Sequence, residues 1–256
     1  MFFRRRGEVV DYFEEVKFYA KLNDIEFGQF HAPFPSYYYN DETASNRAFE
    51  AIIKSIKITS FCNCKYIIIH PCFNAEIQNS LSKEEEWEVN INFYSSLIPY
   101  LKEHKVICCL ENMWCYDREN SKKYSAICSN PYEAKRYIDA LNEIAGEELF
   151  AFCLDTGHLL LVGADPYHFI KTLGGRLKTL HINDNDGLGD LHLCPYMGVG
   201  NWDRLCEALK EVCYQGTLNF ETATTQRRFH PQLIQPVLNL IGEVALLFTN
   251  ILEEKS

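Results

Sequence analysis

The stretch LFAFCLD at residues 149–155 is an apolar run that stops at an aspartate, and it predicts a buried strand whose last residue can bind a metal. Five other runs share this form, and each stops at a histidine or a glutamate: IEFGQFH at 25–31, KYIIIH at 65–70, VICCLE at 106–111, LKTLH at 177–181 and GTLNFE at 216–221. Helix-length segments separate the six runs. Strands that alternate with helices and stop at polar residues are typical of a parallel barrel with its chemistry at the carboxyl ends of the strands. The pattern therefore predicts an α/β fold with one convergent site.

The number of strands is the unusual feature of this predicted barrel. We expect strands at 25–31, 65–70, 105–111, 149–155, 177–182 and 217–221, and helices at 8–22, 42–60, 84–103, 131–145, 165–174, 202–213 and 231–252. A closed TIM (β/α)8-type barrel needs eight strands, so the first two strands and one helix are expected to be lacking. An open sheet would leave 25–31 and 217–221 as edges, which favour pairing with another chain. We therefore also expect a homo-oligomer that covers the open barrel edge.

Length and composition favour one domain. The chain has 256 residues, of which 47% are hydrophobic, and its sequence contains no short internal repeat and no Pro/Gly/Ser linker. We predict a single domain over residues 1–256 that is short at its N-terminus. The net charge of −10 disfavours nonspecific binding to polyanions, so nucleic acid is not an expected partner.

The terminal segments and the cysteines favour a cytoplasmic protein that does not cross a membrane. The N-terminal sequence MFFRRRGEVVDYFEE has basic residues without a following apolar segment, so it is not expected to be a secretory signal. The apolar segment 237–252 is interrupted by Asn239, Glu243 and Asn250, and we expect an amphipathic closing helix rather than a membrane span. Several of the eleven cysteines lie inside apolar strand runs, as reduced thiols in a protein core do.

Two local motifs add side chains to the strand ends. In CLDTGH at 153–158, Asp155 ends a strand and His158 follows three residues later in a tight loop, so both can face one space above the barrel. In DLHLCP at 190–195, the Asp-x-His spacing places Asp190 and His192 on one side of an extended segment. The motifs FHAPF at 30–34, IHP at 69–71, LEN at 110–112 and LHINDND at 180–186 complete the set.

These motifs, in this order, resemble the xylose-isomerase-like TIM-barrel superfamily, or AP endonuclease family 2. That superfamily contains sugar and sugar-phosphate isomerases and epimerases together with abasic-site nucleases of the endonuclease IV type. The resemblance implies that Glu111, Asp155, His181 and Glu221 bind one divalent metal and that the two glutamates also act as an acid/base pair. The stretch D-x-H-x-x-P-x-x-G-x-x-[DN]-W, here at 190–202, is most similar to bacterial sugar-phosphate isomerase/epimerase relatives.

The nuclease branch of the superfamily implies additional ligands. There, the positions that match His31, His70, His158, Asp190 and His192 complete a cluster of three zinc ions. All five positions hold residues that can bind a metal in this chain. Many epimerases, in contrast, carry an arginine that helps to hold the substrate where this chain has His192.

The donor set limits the choice of metal. Oxygen ligands from Glu111, Asp155 and Glu221 with one imidazole suit Mn²⁺ or Mg²⁺, whereas additional imidazoles favour Zn²⁺. We therefore expect Mn²⁺ or Zn²⁺ as the cofactor, with Mg²⁺ as a further choice. No cysteine lies at a strand end, so a thiolate site is not expected.

Several of these residues have alternative roles that the sequence leaves open. His158 can orient a metal-bound carboxylate instead of binding the metal, and His31 can hold substrate hydroxyls. Asp190 and His192 can form a hydrogen-bonded pair within their loop. The segment 112–130 is either a lid over the site or a surface loop. The residues expected to contact a substrate, by stacking or by hydrogen bonding, are Phe34, His70, Trp114, His158 and His192.

Three functions are consistent with these patterns. The first is an isomerase or epimerase that acts on a small sugar or sugar phosphate by proton transfer between Glu111 and Glu221. The alternative is a zinc phosphodiesterase of the endonuclease IV type, which uses a metal-activated hydroxide. The third is a non-catalytic metal-binding relative. The identity of the sugar depends on the shape of the loops, which the sequence does not specify.

Overall fold

The chain was analysed as a computed structural model that describes residues 6–75 and 81–254. Residues 1–5 lie outside the described residues, and with them part of the N-terminal stretch that was expected not to be a secretory signal. Within the described ranges, helices alternate with strands as predicted, and the central strands form a curled parallel sheet.

Seven strands occur among the described residues. In chain order β1 to β7 they are Phe30–His31, Tyr66–Ile68, Ile107–Glu111, Trp114–Asp117, Lys122–Ser125, Phe150–Asp155 and Leu177–His181. Five of them form the parallel half-barrel, in the spatial order β1, β2, β3, β6, β7. Each lies within a predicted strand, although β1 covers only two residues of the predicted 25–31 and β2 only three of the predicted 65–70. The other two, β4 and β5, form a separate antiparallel hairpin.

The sixth predicted strand, 217–221, is not a strand in the structure. The parallel sheet of the described residues therefore has five strands, and the prediction of six parallel strands was wrong. The segment makes a single parallel bridge, between Ile182 and Phe220. Two hydrogen bonds flank the bridge, from Ile182 N–H to Asn219 O (2.8 Å) and from Glu221 N–H to Ile182 O (3.0 Å). The segment therefore pairs only at its carboxyl end, which is still enough to place Glu221 beside the end of β7.

The two outer segments of the half-barrel, β1 and 217–221, approach each other through side chains. A Cβ atom on Gly28 would lie 2.7 Å from Oγ1 of Thr217, and Gln29 donates its side-chain N–H to the backbone oxygen of Leu180 (3.3 Å). No backbone ladder joins the two segments in the part of the chain that the structure describes. The two segments therefore lie close together at Gly28 and Thr217, but the barrel stays open between them because no backbone hydrogen bonds join them in the described residues.

The register of the strands brings the polar strand ends to one level. Asp155 at the end of β6 pairs with His181 at the end of β7, and Glu111 at the end of β3 pairs with Cys153 of β6. Because the five strands of the half-barrel are parallel, these ends meet at one edge of the sheet.

The helices surround the sheet close to their predicted positions. Their bounds, α1 to α9 in chain order, are Arg6–Leu22, Glu42–Phe61, Lys83–His104, Pro131–Ala145, Thr156–Leu161, Pro166–Leu173, Trp202–Glu211, Ala223–Arg227 and Ile234–Glu253. Local capping sets several of these starts. Ser82 and Glu85 form a capping box before α3, and Asn130 with Pro131 begins α4.

Apolar side chains form two cores, one outside and one inside the curl of the sheet. The outer core fills the space between the sheet and the helices. The inner core is small and lies under the polar strand ends, and it consists of Ile68, Ile107, Cys109, Ala151 and Cys153. All eleven cysteines belong to the described residues and are free thiols, and ten of them are buried. Both findings agree with the expected reduced core thiols.

Helix α9 is more apolar than expected. Together with the preceding turn it covers Pro231–Glu253, which by length and composition alone is long and apolar enough to cross a membrane. One side of it packs on the barrel, where Phe248 contacts the rings of Trp202 and Phe220. Helix α9 therefore serves as an outer helix of the half-barrel whose other side remains exposed.

Candidate metal centre

Glu111 is the centre of the site. Its carboxylate is buried, with 2% of the side chain exposed, and imidazoles from three strand ends surround it. Oε1 lies 3.2 Å from Nδ1 of His181, and Oε2 lies 2.9 Å from Nε2 of His70 and 3.7 Å from Nε2 of His31. The contact with His70 is outside hydrogen-bonding geometry, so within residues 6–75 and 81–254 no hydrogen-bond donor reaches the buried Oε2. Such an oxygen requires another partner, which a cation can provide.

His181 lies between Glu111 and the carboxylates of Asp155 and Glu221. Its Nδ1 lies 3.4 Å from Oε2 of Glu221 and 3.8 Å from Oδ2 of Asp155, in addition to the 3.2 Å contact with Glu111. The four residues that were predicted to hold a metal therefore meet around one ring nitrogen. The ligand atoms of Asp155, His181 and Glu221 all lie within 4.8 Å of one another.

Backbone carbonyls fix the tautomers of three further histidines. Nδ1 of His31 lies 2.6 Å from Ala32 O, Nδ1 of His158 lies 2.7 Å from Asn112 O, and Nδ1 of His192 lies 3.2 Å from Glu221 O. Because a carbonyl oxygen only accepts, each Nδ1 must be the donor. In the neutral ring, Nε2 then presents its lone pair, as in a metal-binding histidine.

Asp190 joins the two loop histidines into the site. Its Oδ2 lies 3.6 Å from Nε2 of His158, and its Oδ1 lies 3.5 Å from Nε2 of His192. His192 also approaches the Glu221 carboxylate, at 3.6 Å. All nine predicted ligand positions therefore lie in one cluster, in which Asp190 lies between the two loop histidines while His158 also approaches Glu111 at 3.6 Å.

The donor set fits a divalent metal. Besides the triad already described, two overlapping triads have ligand atoms within 4.8 Å of one another: His31, Glu111 and His181, and Glu111, Asp155 and His158. Carboxylate oxygens and imidazole nitrogens are the ligands of Zn²⁺ and Mn²⁺ in proteins. The overlap of the triads gives room for one metal or for several.

Opposite effects act on the pKa values of the two glutamates. Burial alone would raise the pKa of Glu111, but the rings of His181 and His70 outweigh it and hold that pKa well below its ordinary value. For Glu221, burial raises the pKa, and the neighbouring carboxylates of Asp155 and Glu111 act in the same direction. Pairs of carboxyl groups whose environments separate their pKa values are common where one accepts and the other gives a proton.

The acidic loop residue raises the pKa values of its two histidines. Burial opposes the charge on His158, but Asp155 and Asp190 outweigh burial and raise its pKa to about 10. The hydrogen bond to Asp190 raises the pKa of His192 to about 9. Burial opposes the charge on Asp190 too, but the same two histidines hold its pKa below the ordinary value. Without a metal, the cluster therefore holds protons at the places where a cation would bind.

Aromatic residues form the rim of the site. Phe34, half exposed, packs on the ring of His70 with 4.8 Å between the centroids. Trp114 lies on the β4–β5 hairpin with its centroid 6.5 Å from that of His158. The hairpin occupies part of the 112–130 segment, and Lys123 donates from it to the backbone oxygen of Leu188, in the loop that carries Asp190. Segment 112–130 therefore contains a regular β-hairpin that lies beside the site, and it is not an irregular surface loop.

Two residues with structural roles in the site were missed by the sequence analysis. Asn183 is fully buried, and its amide nitrogen lies 3.2 Å from each oxygen of the Asp155 carboxylate. Asp184, also fully buried, accepts from Gly198 N–H (2.8 Å), Gly200 N–H (3.0 Å) and the Trp202 indole (3.3 Å). These bonds explain the Gly and Trp positions of the 190–202 motif. The only available signal was the polar HINDN run directly after β7.

Comparisons with known proteins identify the family of the chain. The family model described as "Xylose isomerase-like TIM barrel" matches residues 4–241. "Probable endonuclease 4" of Mycoplasmoides gallisepticum (strain R(low / passage 15 / clone 2)) is 26% identical over 164 residues, which are 60% of this chain and 49% of that protein. The first two curated relatives are matched over only 22% and 49% of their own length.

Solved structures show the same fold at low sequence identity. The 3-keto-D-glucoside 4-epimerase YcjR from E. coli superposes with a TM-score of 0.71 and 15% identity, over 91% of this chain and 85% of that one. The IOLI protein, solved with a bound zinc atom, gives a TM-score of 0.67 and 16% identity, over 94% and 81% of the two chains. The predicted α/β TIM-barrel class is thereby confirmed, and the chain belongs to the xylose isomerase-like TIM barrel family.

Proposed function

We propose that this protein is a divalent-metal-dependent isomerase or epimerase acting on a small sugar or sugar phosphate. The observation that carries the proposal is the meeting of Glu111, Asp155 and Glu221 around Nδ1 of His181, at 3.2, 3.8 and 3.4 Å. Glu111 ends β3, whereas Glu221 follows the bridge beside β7, so the two carboxylates can reach a sugar carbon from different directions. The naming of YcjR as an epimerase supports the same class of reaction.

The two glutamates carry the proton chemistry in this proposal. A divalent metal bound by the four residues would polarise a sugar carbonyl and acidify the neighbouring C–H bond. One of Glu111 and Glu221 removes that proton, and the other returns one. Return to the opposite face of the same carbon inverts its configuration, which is epimerisation. Return to the adjacent carbon interconverts an aldose and a ketose.

The residues around the metal position hold the substrate and exclude water. Phe34 and Trp114 present ring faces at the rim, where they can stack on the apolar face of a sugar. His70 lies beside Glu111, and His158 and His192 lie beside Asp190, so all three can bond to hydroxyl groups. The number of imidazoles favours Zn²⁺ or Mn²⁺ over Mg²⁺ as the cofactor.

A zinc phosphodiesterase of the endonuclease IV type is the second candidate. The specific observation in its favour is that His31, His158 and His192 all direct Nε2 into the cluster, with Asp190 between the last two. This arrangement gives more ligands than one metal needs. The net charge of −10 argues against it, because a nucleic-acid substrate favours a basic surface.

Isotope exchange separates the two reactions. The metal-loaded protein is incubated in D₂O with a panel of ketoses and ketose phosphates, and deuterium is followed by NMR at the carbons next to the carbonyl. We expect incorporation by the wild type and a loss of at least about a hundredfold in Glu221→Gln, which cannot transfer the proton. Glu243→Gln, on the exposed surface of α9, is the matched control and should exchange at the wild-type rate.

Cleavage of an abasic oligonucleotide is the opposing measurement. Cleavage that is abolished by Glu111→Gln, with no exchange in any sugar, would replace the isomerase proposal by the phosphodiesterase. Metal binding without either reaction would identify the third candidate, a non-catalytic metal-binding relative.

We also propose that the protein works in the cytoplasm as a homo-oligomer. The free thiols of the core support a reducing compartment. Large apolar side chains on the outer helices support an oligomer, including Phe18 and Leu22 of α1 and Leu246 and Leu247 of α9, each more than two-fifths exposed.

A further inference from the structure

Two buried asparagines hold the turn that carries Asp155. Asn112 makes two hydrogen bonds to the backbone of Asp155. Its Nδ2 donates to Asp155 O and its Oδ1 accepts from Asp155 N–H, both at 2.9 Å. Asn183 contacts the carboxylate itself, with Nδ2 at 3.2 Å from both oxygens. Because an ionised carboxylate only accepts hydrogen bonds, the amide group that faces it must be the NH₂. Of the two, only Asn183 can set the rotation of the carboxylate.

The two oxygens of Asp155 have different surroundings. Oδ1 accepts from His158 N–H at 2.8 Å, in the N-cap of α5, and from Asn183. Of the hydrogen bonds among the described residues, Oδ2 receives only the one from Asn183, and it faces His181 Nδ1 at 3.8 Å. The hydrogen bonds therefore hold Oδ1 against the loop and leave the lone pairs of Oδ2 directed toward the ring that Glu221 also faces.

The space for the Asn183 amide exists because residue 157 is a glycine. A Cβ atom built on Gly157 would overlap the Asn183 amide, and its three nearest neighbours all belong to that side chain. Gly157 has no positive φ, so the requirement comes from space and not from backbone conformation. Asn183 cannot retreat easily, because its backbone N–H donates to Thr156 Oγ1 at 2.9 Å and its backbone oxygen accepts from the same hydroxyl at 2.7 Å.

We propose that Asn183 is a positioning residue, which orients the Asp155 carboxylate for metal binding, and that Gly157 is a glycine to admit the Asn183 amide. The inference rests on the proposed metal site, and it explains why the strand-end aspartate is followed two residues later by glycine. Hydrogen-bond partners of metal ligands typically contribute about 10- to 100-fold to metal affinity. We expect a contribution of that size from Asn183.

Metal titration of the full-length, metal-free chain tests the positioning role. Zn²⁺ and Mn²⁺ are titrated separately by calorimetry into wild type, Asn183→Ala and Asn183→Leu. We expect metal binding to weaken by about 10- to 100-fold in both variants. The leucine variant fills the space that alanine leaves, so a loss shared by both variants does not come from a cavity.

Asn185→Ala is the matched control for loosening of the loop. Asn185 is buried two residues away and donates to the backbone oxygen of Gly157 at 2.8 Å, but no hydrogen bond joins it to Asp155 among the described residues. We expect it to lower the melting temperature of the metal-free protein while metal affinity stays near the wild-type value.

A double substitution tests the steric part of the inference. Gly157→Ala alone should lower both the melting temperature and the metal affinity, because its methyl group displaces the amide. Gly157→Ala combined with Asn183→Ala should recover the melting temperature to that of Asn183→Ala, because the space is then vacant. Metal affinity of the double variant should remain at the level of Asn183→Ala. Such non-additivity is expected only for groups in direct contact.

Different outcomes would overturn different claims. Wild-type affinity in both Asn183 variants, while the wild type itself binds metal, would overturn the positioning role. Additive losses in the double variant would overturn the steric link to Gly157. A wild-type chain that binds neither metal would instead overturn the proposed function on which the inference rests.

Discussion

Glu111 shows how one residue organises the site. Its carboxylate is nearly inaccessible and lies within 3.7 Å of nitrogens from three different strand ends. A buried carboxylate is unfavourable unless charge or hydrogen bonds compensate for its lost hydration. Here His181 lies beside Oε1 and the rings of His70 and His31 lie beside Oε2, but no donor among the described residues meets Oε2 in hydrogen-bonding geometry. The surroundings of Glu111 therefore suit a bound cation. Without a cation, the neighbouring histidines balance the charge of the carboxylate.

The cluster of Asp190 with His158 and His192 predicts a pH dependence of stability. The pKa values of these histidines are raised to about 10 and about 9, above the ordinary value of about 6.5. Groups with raised folded-state pKa values stabilise fully below the unfolded value and lose that contribution as pH rises through the folded value. We expect the unfolding free energy of the metal-free protein to fall between pH about 6.5 and about 10.

Chemical denaturation across this pH range measures the effect. Asp190→Asn removes one carboxylate partner of each histidine and should make the decline shallower. His230→Gln, a substitution at an exposed histidine, should leave the slope unchanged. A stability that rises with pH in the metal-free wild type would contradict the assignment.

Among the elements, the loop after β7 shows most clearly how secondary structure positions chemistry. Asp184 lies in its first turn and accepts from three backbone N–H groups, those of Asn185, Gly198 and Gly200, and from the Trp202 indole N–H, so that the loop returns with Asp190 and His192 over the strand ends. The Asn185 N–H and the Trp202 indole are buried with Asp184, so its removal leaves these two donors without that partner and shielded from water. Each buried donor left unpaired costs about 1–3 kcal/mol.

Asp184→Ala should therefore lower the unfolding free energy by about 3 kcal/mol or more. Asp186→Ala is the matched control in the same loop. Asp186 accepts from Leu188 N–H and Gly189 N–H on the surface, and its loss should cost less than about 1 kcal/mol. Urea denaturation of the three proteins gives the comparison. Equal losses in the two variants would show that the carboxylate of Asp184 does not organise the loop.

The same elements show what the sequence could and could not predict. Five strand ends were predicted because each signal is local: an apolar run, a polar stop and a following helix. The segment 217–221 has the same local signal, but it pairs with the chain after β7 only at the bridge between Ile182 and Phe220. A local pattern does not report how far such pairing extends. The contact of Asn183 with Asp155 joins residues 28 positions apart, and no local pattern reports it. The β4–β5 hairpin was missed because its four-residue strands alternate weakly.

The whole molecule presents apolar surface that the half-barrel does not use. Helices α1 and α9 flank the sheet and expose Phe18 (64%), Leu22 (68%) and Leu246 (54%). No backbone ladder joins β1 to 217–221 in the described part of the chain, although Thr217 lies close to Gly28. Apolar surface of this kind beside an incomplete edge favours association between copies of the chain.

Light scattering coupled to size-exclusion chromatography tests the oligomer. We expect a mass of at least two chains for the wild type, and a shift toward one chain in Leu246→Asp, because a buried charge weakens an apolar interface. Glu243→Gln, a change at an exposed polar position of the same helix, should keep the wild-type mass. A wild-type mass of one chain at all concentrations would contradict the proposal.

The metal itself is the central claim, and anomalous X-ray scattering from crystals grown with Zn²⁺ and Mn²⁺ tests it most directly. Data collected on both sides of each absorption edge give the element, the number of ions and their ligands. The account predicts at least one divalent ion in contact with Glu111, Asp155, His181 and Glu221. Crystals of the correctly folded chain with no anomalous peak among these four side chains, at saturating metal, would contradict it.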